Sequence, residues 1–232
     1  MKQVILGLVL LLFSVGVTAG EWSANASATS NYLLRGLTQT ENEAAVQGGI
    51  DYTADNGFYA GTWASNVNYG AGDVYSYEHD MYAGFAFDTG SLSWDVGYLY
   101  YNYDDAAGFD FAEVYVGLGL GNLSTQLSVL AHTEADEELG QDFGFGQAYY
   151  ASLDYGFGLS NGIDVGLHLG YHDGDFVEAF NGNSEGYADY NITFSKNGFS
   201  FMISDTNVKG GAAEGGYDND SLKFVISYGV EI

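Results

Sequence analysis

Residues 44–67 read AAVQGGIDYTADNGFYAGTWASNV, and the alternation within them decides the fold. From Ala44 to Ala54 the apolar Ala44, Val46, Ile50, Tyr52 and Ala54 fall on one parity and the polar Gln47, Asp51 and Thr53 on the other. This is the period-two pattern of a strand with unlike faces. Asp55-Asn56-Gly57 interrupts it, and Asn-Gly suits the φ > 0 positions of a tight turn. Phe58 to Val67 then alternates again, with Tyr59, Trp63 and Val67 opposed to Ala60, Thr62, Ala64 and Asn66. The stretch is a hairpin, and the same strand-turn-strand unit recurs along the chain.

Upstream, Trp22, Ala24, Ala26, Ala28, Tyr32 and Leu34 oppose Ser23, Asn25, Ser27, Thr29, Asn31 and Arg35, and a polar loop from Thr38 to Glu43 leads into the hairpin. Downstream, alternation returns over Glu78–Phe87, Leu92–Tyr101, Ala112–Leu120 and Leu123–His132, where His132 shares the polar face of Ser124, Gln126 and Ser128. It continues through Tyr149–Tyr155, Ile163–His172, Tyr190–Phe194, Phe199–Ile203 and Leu222–Ile232. Short turns at Asp55, Asp88, Asn122, Asn161 and Asn197 take turns with long polar loops around Glu43, Asp105, Glu137, Asp175 and Glu214. The expected fold is all-β, an antiparallel transmembrane β-barrel of about 12 strands with tight periplasmic turns, long outer loops and both termini periplasmic.

Composition narrows the partners. With no Cys and no Pro in 232 residues, neither a disulfide nor a metal-thiolate site is available. The formal net charge is -26 and the pI about 4.1. Beyond Lys2 the only Lys and Arg residues are Arg35, Lys196, Lys209 and Lys223. Nucleic acid is excluded as a partner, because phosphate binding needs clustered Lys and Arg. Met1-Lys2, the apolar run Val4 to Val17 and the small residues to Ala19 have the form of a secretory signal, with cleavage expected after Ala19 and the barrel over 20–232. The run is shorter than the roughly 20 residues of a membrane-spanning helix. Membrane crossing therefore falls to strands, which must close so that no edge is left unpaired in lipid.

Alternation alone leaves open which face of a barrel is inside. The aromatics decide. Tyr52, Tyr59, Phe87, Trp94, Tyr155, Phe157, Phe194 and Phe199 sit on the apolar face beside the short turns, and Tyr32, Tyr77, Tyr149 and Tyr171 sit on it near the long loops, as two interfacial girdles require. The other face collects acidic residues with almost no cations, which no dry core tolerates. The apolar face is thus expected outward, with Arg35, Asp51, Glu78, Asp80, Asp95, Glu113, Tyr115, Asp154, Asp164 and Asp189 lining the lumen.

Three segments, Thr29–Gly36, Gln47–Tyr52 and Gly57–Val67, resemble the proteobacterial TorF family of porin-type proteins. Glu78-His79-Asp80, Val96-Gly97-Tyr98 and Glu113–Gly117 continue the likeness, which is specific in the first third and looser after His132. The resemblance implies a Gram-negative outer-membrane β-barrel with a channel role, and it brings no substrate or catalytic residue. Ile232 departs from the aromatic residue with which outer-membrane barrels usually end, which bears on the efficiency of insertion rather than on the fold.

Two constellations invite a chemical reading. His168 and His172 share a face but lie roughly 13 Å apart on one strand, too far to ligate one metal. Glu78 and Asp80, about 7 Å apart, have the spacing of an inverting glycosidase pair, yet any acidic strand produces such a pair. No serine stands beside a histidine as an activated nucleophile would. The expectation is a non-enzyme without cofactor or metal: a porin of the Gram-negative cell outer membrane passing small cations or polar solutes by passive diffusion through an acidic lumen. Its partners would be outer-membrane lipid and the barrel assembly machinery. The alternative is a plugged structural or adhesive barrel, because Tyr82, Tyr101, Tyr115 and Tyr150 point inward and twelve tilted strands leave a backbone radius of roughly 12 Å. A barrel hydrolase is a third reading. Arg35, the only arginine, is expected near the outer end of the first strand in a row with Ala45, Asn66 and Glu78.

Overall fold

A computed structural model describes residues 20–177, 186–208 and 219–232. The expected signal with its cleavage after Ala19, part of the loop from Asp173 to Glu185 and the loop around Glu214 lie outside the described residues. The strands are β1 (Glu21–Thr29), β2 (Leu33–Leu34), β3 (Leu37–Thr38), β4 (Ala45–Thr53), β5 (Phe58–Asn66), β6 (Tyr77–Thr89) and β7 (Leu92–Asn102). They continue with β8 (Phe111–Leu120), β9 (Leu123–Thr133), β10 (Ala148–Gly158), β11 (Asp164–Gly174), β12 (Tyr187–Lys196), β13 (Phe199–Thr206) and β14 (Lys223–Glu231). Twelve of these form one closed barrel in the order β1-β14-β13-β12-β11-β10-β9-β8-β7-β6-β5-β4, and β2 pairs with β3 apart from it. Each pairing around the ring is antiparallel, and β1 closes it by facing β4 at Ala28↔Val46 and β14 at Ala28↔Tyr228. The all-β barrel of twelve strands read from the alternation is the fold observed.

The apolar parity faces out. Val46 is 72% and Ile226 60% exposed, while Asp51 is 6% and Asp189 2%. A closed sheet leaves no ladder group unpaired at an edge. On the outer face, Phe87 stacks on Trp94 at 6.1 Å beside one short turn and Phe199 meets Tyr228 at 4.5 Å beside another. At the other end Tyr149 lies 6.4 Å from Tyr171.

Turn chemistry sets these registers. Asn197 and Gly198 both take positive φ, 52° and 84°, the type I′ geometry that Asn-Gly favours. The Asp55-Asn56-Gly57 turn differs from the sequence expectation: Gly57 takes φ 87° but Asn56 does not turn left-handed. Instead Asn56 Oδ1 accepts the Phe58 N–H at 3.0 Å, and the Gly57 N–H bonds to Ala54 O at 3.0 Å.

Three assignments of facing are corrected. The register Ile50↔Thr62 and Tyr52↔Ala60 places Ala60 and Thr62 with the outward residues, so Tyr59 and Trp63 point into the barrel and Tyr59 belongs to no girdle. A bulge pairs Ala112 with His132 but Glu113 with Leu130. The extra residue, Ala131, reverses the parity beyond it, so His132 faces out and its Nε2 lies 2.9 Å from the Tyr98 hydroxyl.

The first strand ends at Thr29 and does not run on to Leu34. The Thr29 hydroxyl donates to Asn31 O at 2.9 Å and bends the chain off the sheet. Residues 30–44 then form a strap anchored on the wall at both ends, whose middle, 31–40, folds into the lumen and is tipped by the β2-β3 hairpin with Leu33↔Thr38 and Leu34↔Leu37. Its two-residue turn is Arg35-Gly36, at φ 51° and 79°. The Asn31 side chain pins it, accepting from Thr38 Oγ1 at 2.6 Å and donating to Asn42 Oδ1 at 3.0 Å. Tyr32 is therefore buried inside the barrel and not in an outer girdle, and Thr38, Gln39 and Thr40, expected in an exposed loop, are buried with it.

Candidate functional site

The strap crosses the lumen. Its Tyr32 hydroxyl donates to Glu78 on β6 at 2.6 Å, and Gly36 lies so close to β12 and β13 that a Cβ there would fall 2.8 Å from Asp189 Cβ and 2.5 Å from Thr206 Cγ2. β6 and β12 stand six places apart in the ring of twelve, on opposite walls. Glycine at position 36 is required twice, by its left-handed φ and by this wall.

Between the two walls sits Arg35. Its Nη2 donates to both oxygens of Glu113 on β8, at 2.8 and 2.6 Å. Its Cζ lies 4.4 Å over the Tyr150 ring on β10, and Nη1 lies 3.3 Å from His172 Nε2 on β11. The side chains of Arg35 and Glu113 are 7% and 6% exposed, which makes this a buried ion pair. The row expected with Ala45, Asn66 and Glu78 does not form. Asn66 faces out, its Oδ1 accepting the Val46 N–H at 2.8 Å, and Glu78 is held by Tyr32 and by the Tyr103 hydroxyl at 2.8 Å. The row assumed that Arg35 ended a strand; on a turn it reaches the middle of the lumen.

Aromatic and aliphatic side chains fill the space around the strap at the long-loop end. Tyr32, Leu34, Trp63, Tyr101, Tyr103, Phe111, Leu130, Phe143 and Phe176 form one packed cluster, and Leu37 joins Val177, Tyr187 and Val208 in a second. Tyr101 stacks on Phe111 at 4.2 Å, and Phe109 stacks on Phe176 at 5.5 Å. Loops after β7, β9 and β11 thus fold inward as well.

Toward the short turns the inner face is a set of carboxylates partnered mostly by tyrosines. The Tyr82 hydroxyl bonds to Asp51, and Tyr59 donates to Asp95 Oδ1 at 2.6 Å while also touching the Tyr115 hydroxyl. On the other wall His168 is clamped between Asp154 at 2.7 Å through Nδ1 and Asp189 at 3.0 Å through Nε2. The Tyr150 hydroxyl joins the same group, 3.1 Å from Asp189 Oδ2. Asp164 opens β11 beside the short turn and is only partly buried. Asp80 is 3% exposed, and its Oδ1 has no hydrogen-bond partner among the described residues. Among the described residues no three His, Cys, Asp or Glu side chains are placed to hold a metal ion.

Some of this was open to a closer reading of the sequence. The β10-β11 turn pairs Gly158 with Asp164, and counting back from it places Asp154 directly across from His168. Tyr32 and Arg35, the strap's partners of Glu78 and Glu113, had no such signal, because they come from a loop whose path is set by the barrel around it.

A family model described as "Bacterial protein of unknown function (Gcw_chp)" matches residues 16–226. No curated protein matches the sequence. Among solved structures, the KdgM porin is similar with a TM-score of 0.53 at 12% identity, over 90% of this chain and 97% of that one. A KdgM porin in complex with disordered oligogalacturonate gives 0.52 at 11% identity, over 91% and 98%. The NanC porin gives 0.54 at 11%, over 90% and 98%. At these identities the likeness is one of fold. These comparisons carry the Gcw_chp description and the porin barrel, and not the TorF name.

Proposed function

The chain belongs to the Gcw_chp family of bacterial proteins of unknown function, and from that premise we propose that it is a porin-type channel of the Gram-negative outer membrane, closed at its outer half by the strap. The observation that carries the reading is the inverted barrel, apolar outside and polar within. A face as apolar as that of β14, with Phe224, Ile226, Tyr228 and Val230 all exposed, is stable only against lipid. Outer-membrane lipid and the barrel assembly machinery are the partners this location implies.

Charge supports a preference for small cations or polar neutral solutes. Seven buried carboxyl side chains, Asp51, Glu78, Asp80, Asp95, Glu113, Asp154 and Asp189, stand against Arg35 and Lys223 among the described residues. Fixed charge in a low-dielectric wall sets the sign of the mobile ions that enter. The lining opposes polyanions, so oligogalacturonate, named with the KdgM porin, is expected not to pass here. The aromatic filling around Tyr103 and Phe111 favours a second reading, a permanently plugged structural barrel. Reversal potential in a planar bilayer under a salt gradient separates them. The channel reading expects a cation-selective sign, an anion-selective sign overturns the charge argument, and no conductance under any condition leaves the plug.

A further inference from the structure

We propose that Arg35 is a resident stand-in for a cationic solute, and that the pocket of Glu113, Tyr150, Tyr101 and Asp80 takes small molecules bearing a guanidinium group, which compete with the strap for it. The proposal rests on the channel reading for the solute's route of entry, and on the pocket's own geometry for its chemistry. A carboxylate presents both oxygens to the guanidinium, an aromatic ring lies under its face at 4.4 Å, and a histidine nitrogen stands 3.3 Å from its other edge. Carboxylate, ring face and imidazole nitrogen together fit a guanidinium better than an ammonium or an alkali ion.

Arg35 fills this site incompletely. Asp80 stands directly across from Tyr101, whose hydroxyl is 3.4 Å from Glu113 Oε2. Asp80 is buried, yet its Oδ1 has no partner among the described residues. Two carboxylates therefore share a pocket with one tethered cation, and a buried acceptor left without a donor is costly. An untethered guanidinium can turn its remaining N–H groups toward Asp80, which Arg35, fixed by its turn, does not do. Arg35 is also held at φ 51°, a left-handed conformation that strains a non-glycine residue. Many of the strap's own bonds are internal, such as Gln39 N–H to Tyr32 O at 2.7 Å and Thr40 Oγ1 to Glu43 O at 2.6 Å, so it can withdraw as a unit.

The test uses the refolded chain in detergent, with methylguanidinium as probe and tetramethylammonium, equal in charge but without N–H donors, as control. In Arg35→Ala the pocket is vacated: methylguanidinium at millimolar concentration raises the thermal midpoint, tetramethylammonium does not, and adding Glu113→Gln abolishes the rise. With Arg35 in place, a Leu37→Cys reporter meets no native cysteine, and saturating methylguanidinium accelerates its labelling by a bulky maleimide on the order of tenfold. Equal responses to the two cations, or none to either, overturn the proposal. If Leu37→Cys does not fold, the Arg35→Ala arm decides alone. Conductance without a selective response refutes the pocket and spares the channel, whereas a selective response in a barrel that never conducts refutes the channel and spares the pocket.

Discussion

Removing the Arg35 side chain is the sharpest perturbation of the closed state. Arg35→Ala leaves Glu113 inside the barrel without its cation, and breaking a buried ion pair from one side costs about 3–5 kcal/mol. Glu113 keeps a long contact to the Tyr101 hydroxyl, 3.4 Å, and borders a polar lumen, so the lower end applies. Loss of the stacking on Tyr150 adds about 0.5–1 kcal/mol. The barrel wall is untouched, and the penalty falls on the arrangement in which the strap occupies the lumen. At 1.4 kcal/mol per tenfold, about 3 kcal/mol moves the ratio of closed to open strap by about two orders of magnitude. Single-channel recording in symmetric potassium chloride should show rare openings for the native chain and openings about a hundredfold more frequent for Arg35→Ala, with a stronger cation preference because the lumen has lost a fixed positive charge. Glu113→Gln strands the Arg35 guanidinium instead and should open the strap as well, whereas the double variant, which leaves neither charge unpaired, should open it less than either single change. Indistinguishable opening frequency and selectivity in Arg35→Ala and the native chain would refute the reasoning.

Further expectations follow from other parts of the barrel. Cysteines at Glu137 and Asp88 should differ in labelling by an impermeant reagent on intact cells, the first reacting and the second protected; equal labelling contradicts the assignment of long loops outward. Tyr32→Phe with Tyr103→Phe strips Glu78 of both its hydroxyl donors and should lower stability by about 2–5 kcal/mol, read from thermal unfolding in detergent, whereas adding Glu78→Gln should recover part of the loss. Gly57→Ala should slow refolding and lower the thermal midpoint, because the added Cβ meets Ala86 O at 2.1 Å in a left-handed backbone; a midpoint equal to that of the native chain would mean that the turn re-forms with another geometry.

The strap shows where reading the chain in one dimension stops. Tyr32 and Leu34 keep the parity of Trp22 to Ala28, and nothing local distinguishes an apolar residue meant for lipid from one meant for the barrel's own interior. The Thr29–Asn31 turn that separates them rests on the one hydroxyl of Thr29. Leu33-Leu34-Arg35-Gly36-Leu37-Thr38 does have the form of a two-residue hairpin, but its destination depends on Glu78, Glu113 and Asp189, which lie 40 to 150 residues further along. Likewise, the outward turn of His132 comes from an extra residue in β9 relative to β8, a property of the pair and of neither strand.

Period and spacing alone carried about twelve strands, from alternations such as that of Val46, Ile50 and Tyr52 with Gln47, Asp51 and Thr53, hairpins at turns such as Asn197-Gly198, and an acidic face opposite an apolar one. These are nearest-neighbour properties, fixed by backbone geometry and the two-residue repeat. It took the closed barrel to show that the segment after Ser30 turns back through the ring and that Arg35 meets Glu113 and Tyr150 there. Arg35 reaches as far as His172, 137 residues away in the chain, because closing the barrel brings distant strands within reach of one short loop.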